Sequence, residues 1–232
     1  MVWQVGHAVC SVLKAVGKAA VAYLAVVGSV PAASGHGFLE RPAARNVQHN
    51  SDWCPQCLNA GGPWLVYAHG KARYGVCGDK WDGPRDHEAG GKYATPPRIA
   101  DTYFTGQTFT AKAKFTANHK GRWSLRLCPV PGGGTAAEER RATTQRCFDK
   151  HVLHRADGTG PYTEVPPSAS VVSAKYVLPK GVRCRRCVLQ WTYETGNSCN
   201  PPGVHRPDPG LSSCKVSTNG EQFWNCADVR IV

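Results

Sequence analysis

Between Gln107 and Ala117 the chain reads QTFTAKAKFTA, and every second residue is apolar. Phe109, Ala111, Ala113, Phe115 and Ala117 fall on one side of an extended backbone, and Thr108, Thr110, Lys112, Lys114 and Thr116 on the other. Successive side chains of a strand point to opposite faces, so this period marks a strand with one face on a core and one in water. Lys120-Gly121 then turns the chain, and RWSLRLC over 122–128 alternates again with Trp123, Leu125 and Leu127 inward. Val171–Leu178 and Cys187–Glu194 alternate too, the latter with Cys187, Leu189, Trp191 and Tyr193 opposite Val188, Gln190, Thr192 and Glu194. The last segment, Phe223–Val232, reads as a strand with Phe223, Ala227, Val229 and Ile231 on one parity. Short strands broken by turns predict a mainly β fold, an antiparallel β-sandwich. Thr135-Ala136-Ala137-Glu138 has the form of a capping box and predicts one short helix through about Arg146.

The remaining segments, 36–50, 51–70, 74–94, 155–168 and 195–222, are loop-like apart from an extended start at His36. Loops as long as the last are usually functional or pinned. The chain has 11 cysteines; Cys10 lies near the start, leaving Cys54, Cys57, Cys77, Cys128, Cys147, Cys184, Cys187, Cys199, Cys214 and Cys226. An even number in an exported chain implies disulfides, whose pairing spacing alone does not give. Cys54-Pro55-Gln56-Cys57 and Cys184-Arg185-Arg186-Cys187 stand too far apart for a zinc ribbon and lack the strand–helix setting of a redox site. Structural disulfides are the better reading of both, and the arginines beside Cys184 read as a solvated face.

Export is itself read from the sequence. Residues 19–30, AAVAYLAVVGSV, are almost wholly apolar and follow Lys14 and Lys18, while Ala33 and Gly35 take the −3 and −1 places of a cleavage after Gly35. That is the pattern of a secretory signal, and the apolar run is too short for a membrane-spanning helix. Residues 1–35 are therefore expected to be a signal peptide, and 36–232 one secreted, monomeric domain with no membrane attachment after cleavage. The formal charge of +12 suits an anionic partner; export argues against nucleic acid.

Cleavage after Gly35 makes His36 the first residue of the mature chain. Its α-amine and ring Nδ1 then sit close enough in the covalent structure to chelate one metal ion. His119 has the parity of the apolar face and lies at the end of its strand, where a lone histidine is more often structural than a ligand; the company of His36 makes it the candidate for a third nitrogen. Such donors suit late first-row metals, Cu(II) most of all among divalent ions. Cleavage elsewhere, for instance after Ala33, would leave His36 an ordinary histidine. The aromatics Trp53, Trp64 and Tyr67 form either a small local core or a platform for sugar rings. His87 and Glu88 are either surface groups or supports of a site. No G-x-S-x-G or H-E-x-x-H occurs.

HGFLERPAARN, YGVCGD, HEAGGKY, TANHKGRW, CRRCVLQWTYETGN and EQFWNCADVRIV occur in that order across residues 36–232. Together they resemble the lytic polysaccharide monooxygenases of auxiliary activity family 15, relatives of bacterial chitin-active and viral spindle-type enzymes. The resemblance implies a fibronectin/immunoglobulin-like sandwich with one copper ion on a flat face. It implies a histidine brace from the amine and Nδ1 of His36 and Nε2 of His119. Ala117 matches the small residue beside the copper and Phe223 the axial position, which is Tyr in some members. Gln190 and Glu88 are candidates for holding the oxygen species, and Trp191 for packing behind the site. An external electron donor and H2O2 or O2 are the implied co-reactants. Hydrogen abstraction at C1 or C4 of chitin or cellulose is the implied chemistry. A non-catalytic carbohydrate-binding protein of the same fold and a zinc hydrolase are the rival readings.

Overall fold

The computed structural model describes residues 36–48, 54–63, 65–66, 75–80, 82–196 and 221–232. Trp53, Trp64, Tyr67, Cys199, Cys214 and the leader 1–35 lie outside the described residues. The strands are β1 (His36–Arg41), β2 (Ile99–Tyr103), β3 (Thr108–Ala117), β4 (Arg122–Val130), β5 (His154–Arg155), β6 (Thr163–Glu164), β7 (Val171–Val177), β8 (Cys184–Glu194) and β9 (Gln222–Ile231). Two helices, α1 (Ala136–Ala142) and α2 (Gln145–Lys150), follow β4. One sheet has the order β1-β3-β7-β5 and the other β2-β9-β8-β4-β6. This is the expected sandwich. Every pair is antiparallel except β2 with β9, which runs parallel. β2 exposes most of its short length and buries Tyr103, so its sequence carries little period-two signal.

The inward residues of the two sheets make the main core. Leu39, Phe109, Phe115, Trp123, Leu125, Tyr176, Leu189, Trp191, Tyr193 and Phe223 belong to it. The expected alternation holds in β3, where Phe109, Ala111, Ala113 and Phe115 are buried and their neighbours are more exposed. It fails in β8 and β9, which are buried on both faces. A second cluster of Cys77, Cys128, Val130, Phe148, Val188 and Cys226 covers the outer side of that sheet. Phe148 brings α2 onto it, so Val188, Gln190 and Thr192 lie under a layer and out of water. The disulfides Cys77–Cys226 and Cys128–Cys147 fasten that layer to β9 and β4. Cys54–Cys57 and Cys184–Cys187 close the two C-x-x-C loops.

The single expected helix is two. Thr143 Oγ1 donates to the Glu139 carbonyl at 2.8 Å, while Thr144 Oγ1 accepts from Cys147 N–H at 3.2 Å. Adjacent threonines thus end α1 and cap α2, with hydroxyls competing for backbone groups. The capping box at Thr135 and Glu138 is present as expected. The segment 155–168 holds β6 and the end of β5, each strand two residues long and too short to leave a pattern.

The arginine run at Cys184 is only half solvated. Arg186 is 3% exposed and shares Glu139 with Arg45. Arg45 also grips Asp228 through Nε at 2.8 Å and Nη2 at 2.7 Å, and donates to the His87 carbonyl at 2.7 Å. Burial by itself would lower the Arg45 pKa; Asp228 and Glu139 outweigh it and hold the guanidinium charged. Two arginines and two carboxylates balance in charge and tie the segment after β1 to α1, β8 and β9. Removing one member leaves an uncompensated buried charge, which costs about 3–5 kcal/mol. Arg45→Ala should therefore lower the urea midpoint of the disulfide-intact protein by that equivalent with an unchanged slope. An unaltered midpoint would show that the network adds nothing.

Candidate functional site

β1 starts at His36, which stands opposite Ala117 on β3. Directly opposite residues of an antiparallel pair share a face, so the small Ala117 side chain is His36's cross-strand neighbour. His119 follows two residues later, at the tip of β3. The chain there is closely held. Asn118 Nδ2 donates to the carbonyls of Pro166 at 2.9 Å and Ala169 at 2.6 Å, and Asn118 Oδ1 accepts from Lys120 N–H at 2.7 Å. Lys120 and Gly121 take positive φ of 56° and 88°. A Cβ on Gly121 would lie 2.1 Å from the Glu194 carbonyl oxygen, so only glycine fits this turn. Gly196 N–H donates to the His119 carbonyl at 2.8 Å from the other sheet.

Tyr193 sits underneath. Its hydroxyl donates to the Lys120 carbonyl at 2.7 Å and accepts from His119 N–H at 3.4 Å. Phe223 stacks on Tyr193 at 6.0 Å between centroids and lies 6.0 Å from the His36 ring. Phe115 meets Tyr193 edge-on at 4.9 Å, and Trp191 packs behind it at 5.8 Å. His36, Ala117, His119, Phe223 and Trp191 are thus gathered at one end of the sandwich on an aromatic floor.

His119 Nδ1 is buried without a hydrogen-bond partner among the described residues. The His119 pKa is lowered, first by burial and then by the nearby His36 ring. A neutral imidazole is the form a metal binds. Among the described residues no three His, Cys, Asp or Glu side chains converge on one point.

The other candidates go elsewhere. Gln190 has the opposite parity to Trp191 and lies on the outer side of β8. Its Nε2 donates to the Val76 carbonyl at 2.7 Å and to Gln145 Oε1 at 3.1 Å. Glu88 pairs with Arg85 at 3.7 Å and also bonds to the Val76 backbone; burial, then repulsion from Asp79, raise its pKa against the pull of Arg85. These two gather at Val76, behind the sheet. His87 holds Asp79 at 2.8 Å and packs on Tyr93 at 4.6 Å, a structural arrangement. Two groups nearer the histidines escaped notice. Tyr193 reads in sequence as one more inward residue, and only its hydroxyl contacts show that it holds the His119 turn. Glu221, two residues before Phe223, is 6% exposed and acts electrostatically on Tyr193, while Asn59 Nδ2 reaches its carboxylate at 3.5 Å. An acid next to a mature strand start was the available signal.

The lowered His119 pKa has a signed consequence. Below pH 6.5 the unfolded chain takes up a proton that folded His119 refuses. Its contribution to stability is full above that pH and declines as pH falls through the folded midpoint. NMR titration of the metal-free protein should place the His119 midpoint below 6.5; a midpoint at or above it would contradict the geometry.

Residues 36–229 match the family model of lytic polysaccharide mono-oxygenases, described as cellulose-degrading. Among solved structures the chain is similar to a lytic polysaccharide monooxygenase AA15 from Thermobia domestica in the Cu(I) state, with 30% identity and a TM-score of 0.68 over 84% of this chain and 98% of that one. A chitin binding domain from Burkholderia pseudomallei is more distant, at 14% identity and a TM-score of 0.45 over 86% of this chain and 100% of that one. The cellulose-active CelS2 enzyme in complex with copper stands at 12% identity and 0.43 over 84% and 98%. None of the curated proteins matches the chain. With its sandwich, its paired histidines and a family match over most of its length, this chain belongs to the lytic polysaccharide mono-oxygenases, copper enzymes that break polysaccharides by oxidation.

Proposed function

We propose that removal of residues 1–35 during secretion exposes His36, and that its α-amine and Nδ1 hold one copper ion together with Nε2 of His119. The observation that carries this reading is the pair itself. His36 and His119 lie near enough at the end of the β1–β3 pair to act on each other electrostatically, and the inner nitrogen of His119 is buried. Trimming would add the missing third donor at the place where β1 begins. Copper supplies the redox chemistry, with an external electron donor and H2O2 or O2, that leads to hydrogen abstraction at C1 or C4 of a sugar.

The protein's own part is orientation and exclusion. Tyr193, Asn118 and Gly121 fix the His119 backbone, so its ring offers one nitrogen in one direction. Phe223 places a ring with no donor atom beside His36. Ala117 leaves room across from His36. Glu221 keeps a carboxylate in the layer beneath, where it biases Tyr193 toward its neutral form. The substrate in this reading is insoluble chitin or cellulose, approached by a secreted monomer through the end of the sandwich that carries His36 and His119. Mass spectra of the products released from each polymer with a reductant distinguish the two, and C1 from C4 attack.

Two changes test the donors. Loss of a group that merely orients a ligand costs about 10–100-fold in metal affinity, so loss of a ligand should cost more. Protein carrying an extra Ala before His36 should bind copper more than about 100-fold more weakly than protein starting at His36. Equal affinity in the two would remove the amine from the site. His119→Ala should keep the circular dichroism of the fold and release no oxidised oligosaccharide; retained C1 or C4 oxidation would rule out its role.

A further inference from the structure

The ends of β4 and β9 and the start of β8 surround an open cleft of about 490 Å³. Pro129, Pro131 and Val232 give its floor exposed apolar surface, and Arg183, Arg185 and Arg230 stand around it. The volume lies within the range of about 300–1,000 Å³ usual for small-molecule sites. All three arginines are exposed, and among the described residues none of them is ion-paired. Arg230 Nε donates to the Arg185 carbonyl at 3.4 Å, which sets those two side by side. Glu139 and Asp228, the buried acids nearby, are already engaged by Arg45 and Arg186 in the interior.

The fold explains why the arginines collect here. Cys184 pairs with Ile231 but Cys187 with Val229, so the C-x-x-C segment carries one extra residue against β9. One consequence is that consecutive arginines part company: Arg186 turns into the buried ion network and Arg185 turns out to the cleft. Val232 also lines the cleft, and its backbone bonds to Tyr103 and Thr105 at 2.9 and 3.0 Å. Between those two residues stands Phe104, 69% exposed, the most exposed large apolar side chain among the described residues. A basic rim and an aliphatic floor therefore share one cleft, and Phe104 is exposed on the neighbouring segment, outside its lining.

We propose that this cleft binds an amphipathic organic anion, an aromatic carboxylate or sulfonate. Its ring would lie on Pro129, Pro131 and Val232, and its acid group would face the arginines. A guanidinium is a planar fork that matches such an oxyanion with two hydrogen bonds and also stacks on aromatic faces. A purely polar anion would leave the apolar floor unused, and a neutral ring would leave the arginines unpaired. The site is separate from the copper centre. β8 runs from Cys184 at the cleft to Glu194 near His119, and at about 3.3 Å per residue that is about 33 Å.

Isothermal titration of the secreted, copper-loaded protein with 2-naphthoate tests the assignment. One saturable site is expected. Affinity should fall at least about tenfold for neutral 2-naphthamide, and likewise for 2-naphthoate with the doubly substituted Arg183→Gln, Arg230→Gln protein, since charge-assisted bonds are lost in both. Binding should persist in His119→Ala, which separates the cleft from the metal. Absence of saturable binding, equal affinity for the amide, unchanged affinity in the double variant, or loss of binding in His119→Ala would each overturn the proposal. Inorganic sulfate binding as tightly as 2-naphthoate would overturn it as well, because the floor would then contribute nothing.

Discussion

The pairing of β1 with β3 is the constraint on which the site depends. His36 faces Ala117 and Gly37 faces Phe115, so Thr116 is left over as a bulge at the strand end. A register slip of one residue would send every side chain of β1 to the other face. Gly37 helps prevent it: a Cβ there would come within 2.8 Å of the Phe115 ring, whose edge contact with Tyr193 supports the His119 turn. Leu39, fully buried, donates its N–H to Asn225 Oδ1 at 2.8 Å, so β1 is held by β9 of the opposite sheet as well. One short strand thus spans the two layers, and its first residue has little freedom left.

The support behind that strand is unusual in being both ionic and aromatic. Arg45 leaves the end of β1 and reaches Asp228 and Glu139 in the interior, while its own N–H donates to the Cys226 carbonyl at 2.7 Å. Buried ion pairs add little net stability compared with packed apolar residues, but they penalise any arrangement that leaves a charge alone. Here that penalty falls on displacement of β1 from β9. At the other end of the strand Phe115, Trp191, Tyr193 and Phe223 fill the space under the histidines. Rigid rings in contact leave few alternatives for the backbone that carries His36 and His119, which is what a metal centre with few protein donors needs.

Much of this was legible in the sequence. Alternation gave β3, β4 and β7, and the parity of the β3 run carried on to put His119 at a strand tip. The resemblance to known monooxygenases joined His119 to His36, which no local pattern could do, since their proximity comes from strand pairing. Burial on the outer face of β8 was hidden because the layer over it comes from α2 and from the segment holding Cys77, both remote in sequence. Gln190 is enclosed in that layer, bonded to the Val76 carbonyl. Arg186 reads as part of a solvated face because charge in a sequence says nothing about a buried partner 47 residues away, as Glu139 is for it. Tyr193 and Glu221 matter through a hydroxyl and a carboxylate whose surroundings only three-dimensional packing defines.

The central claim is that three nitrogens of two residues share one copper ion. Pulsed electron paramagnetic resonance of the Cu(II)-loaded secreted protein, with the His36 α-amine selectively labelled with 15N, tests it most directly. The account predicts hyperfine coupling to that labelled nitrogen together with two imidazole nitrogens. A spectrum in which the labelled amine is uncoupled, or in which only one imidazole is bound, would contradict it.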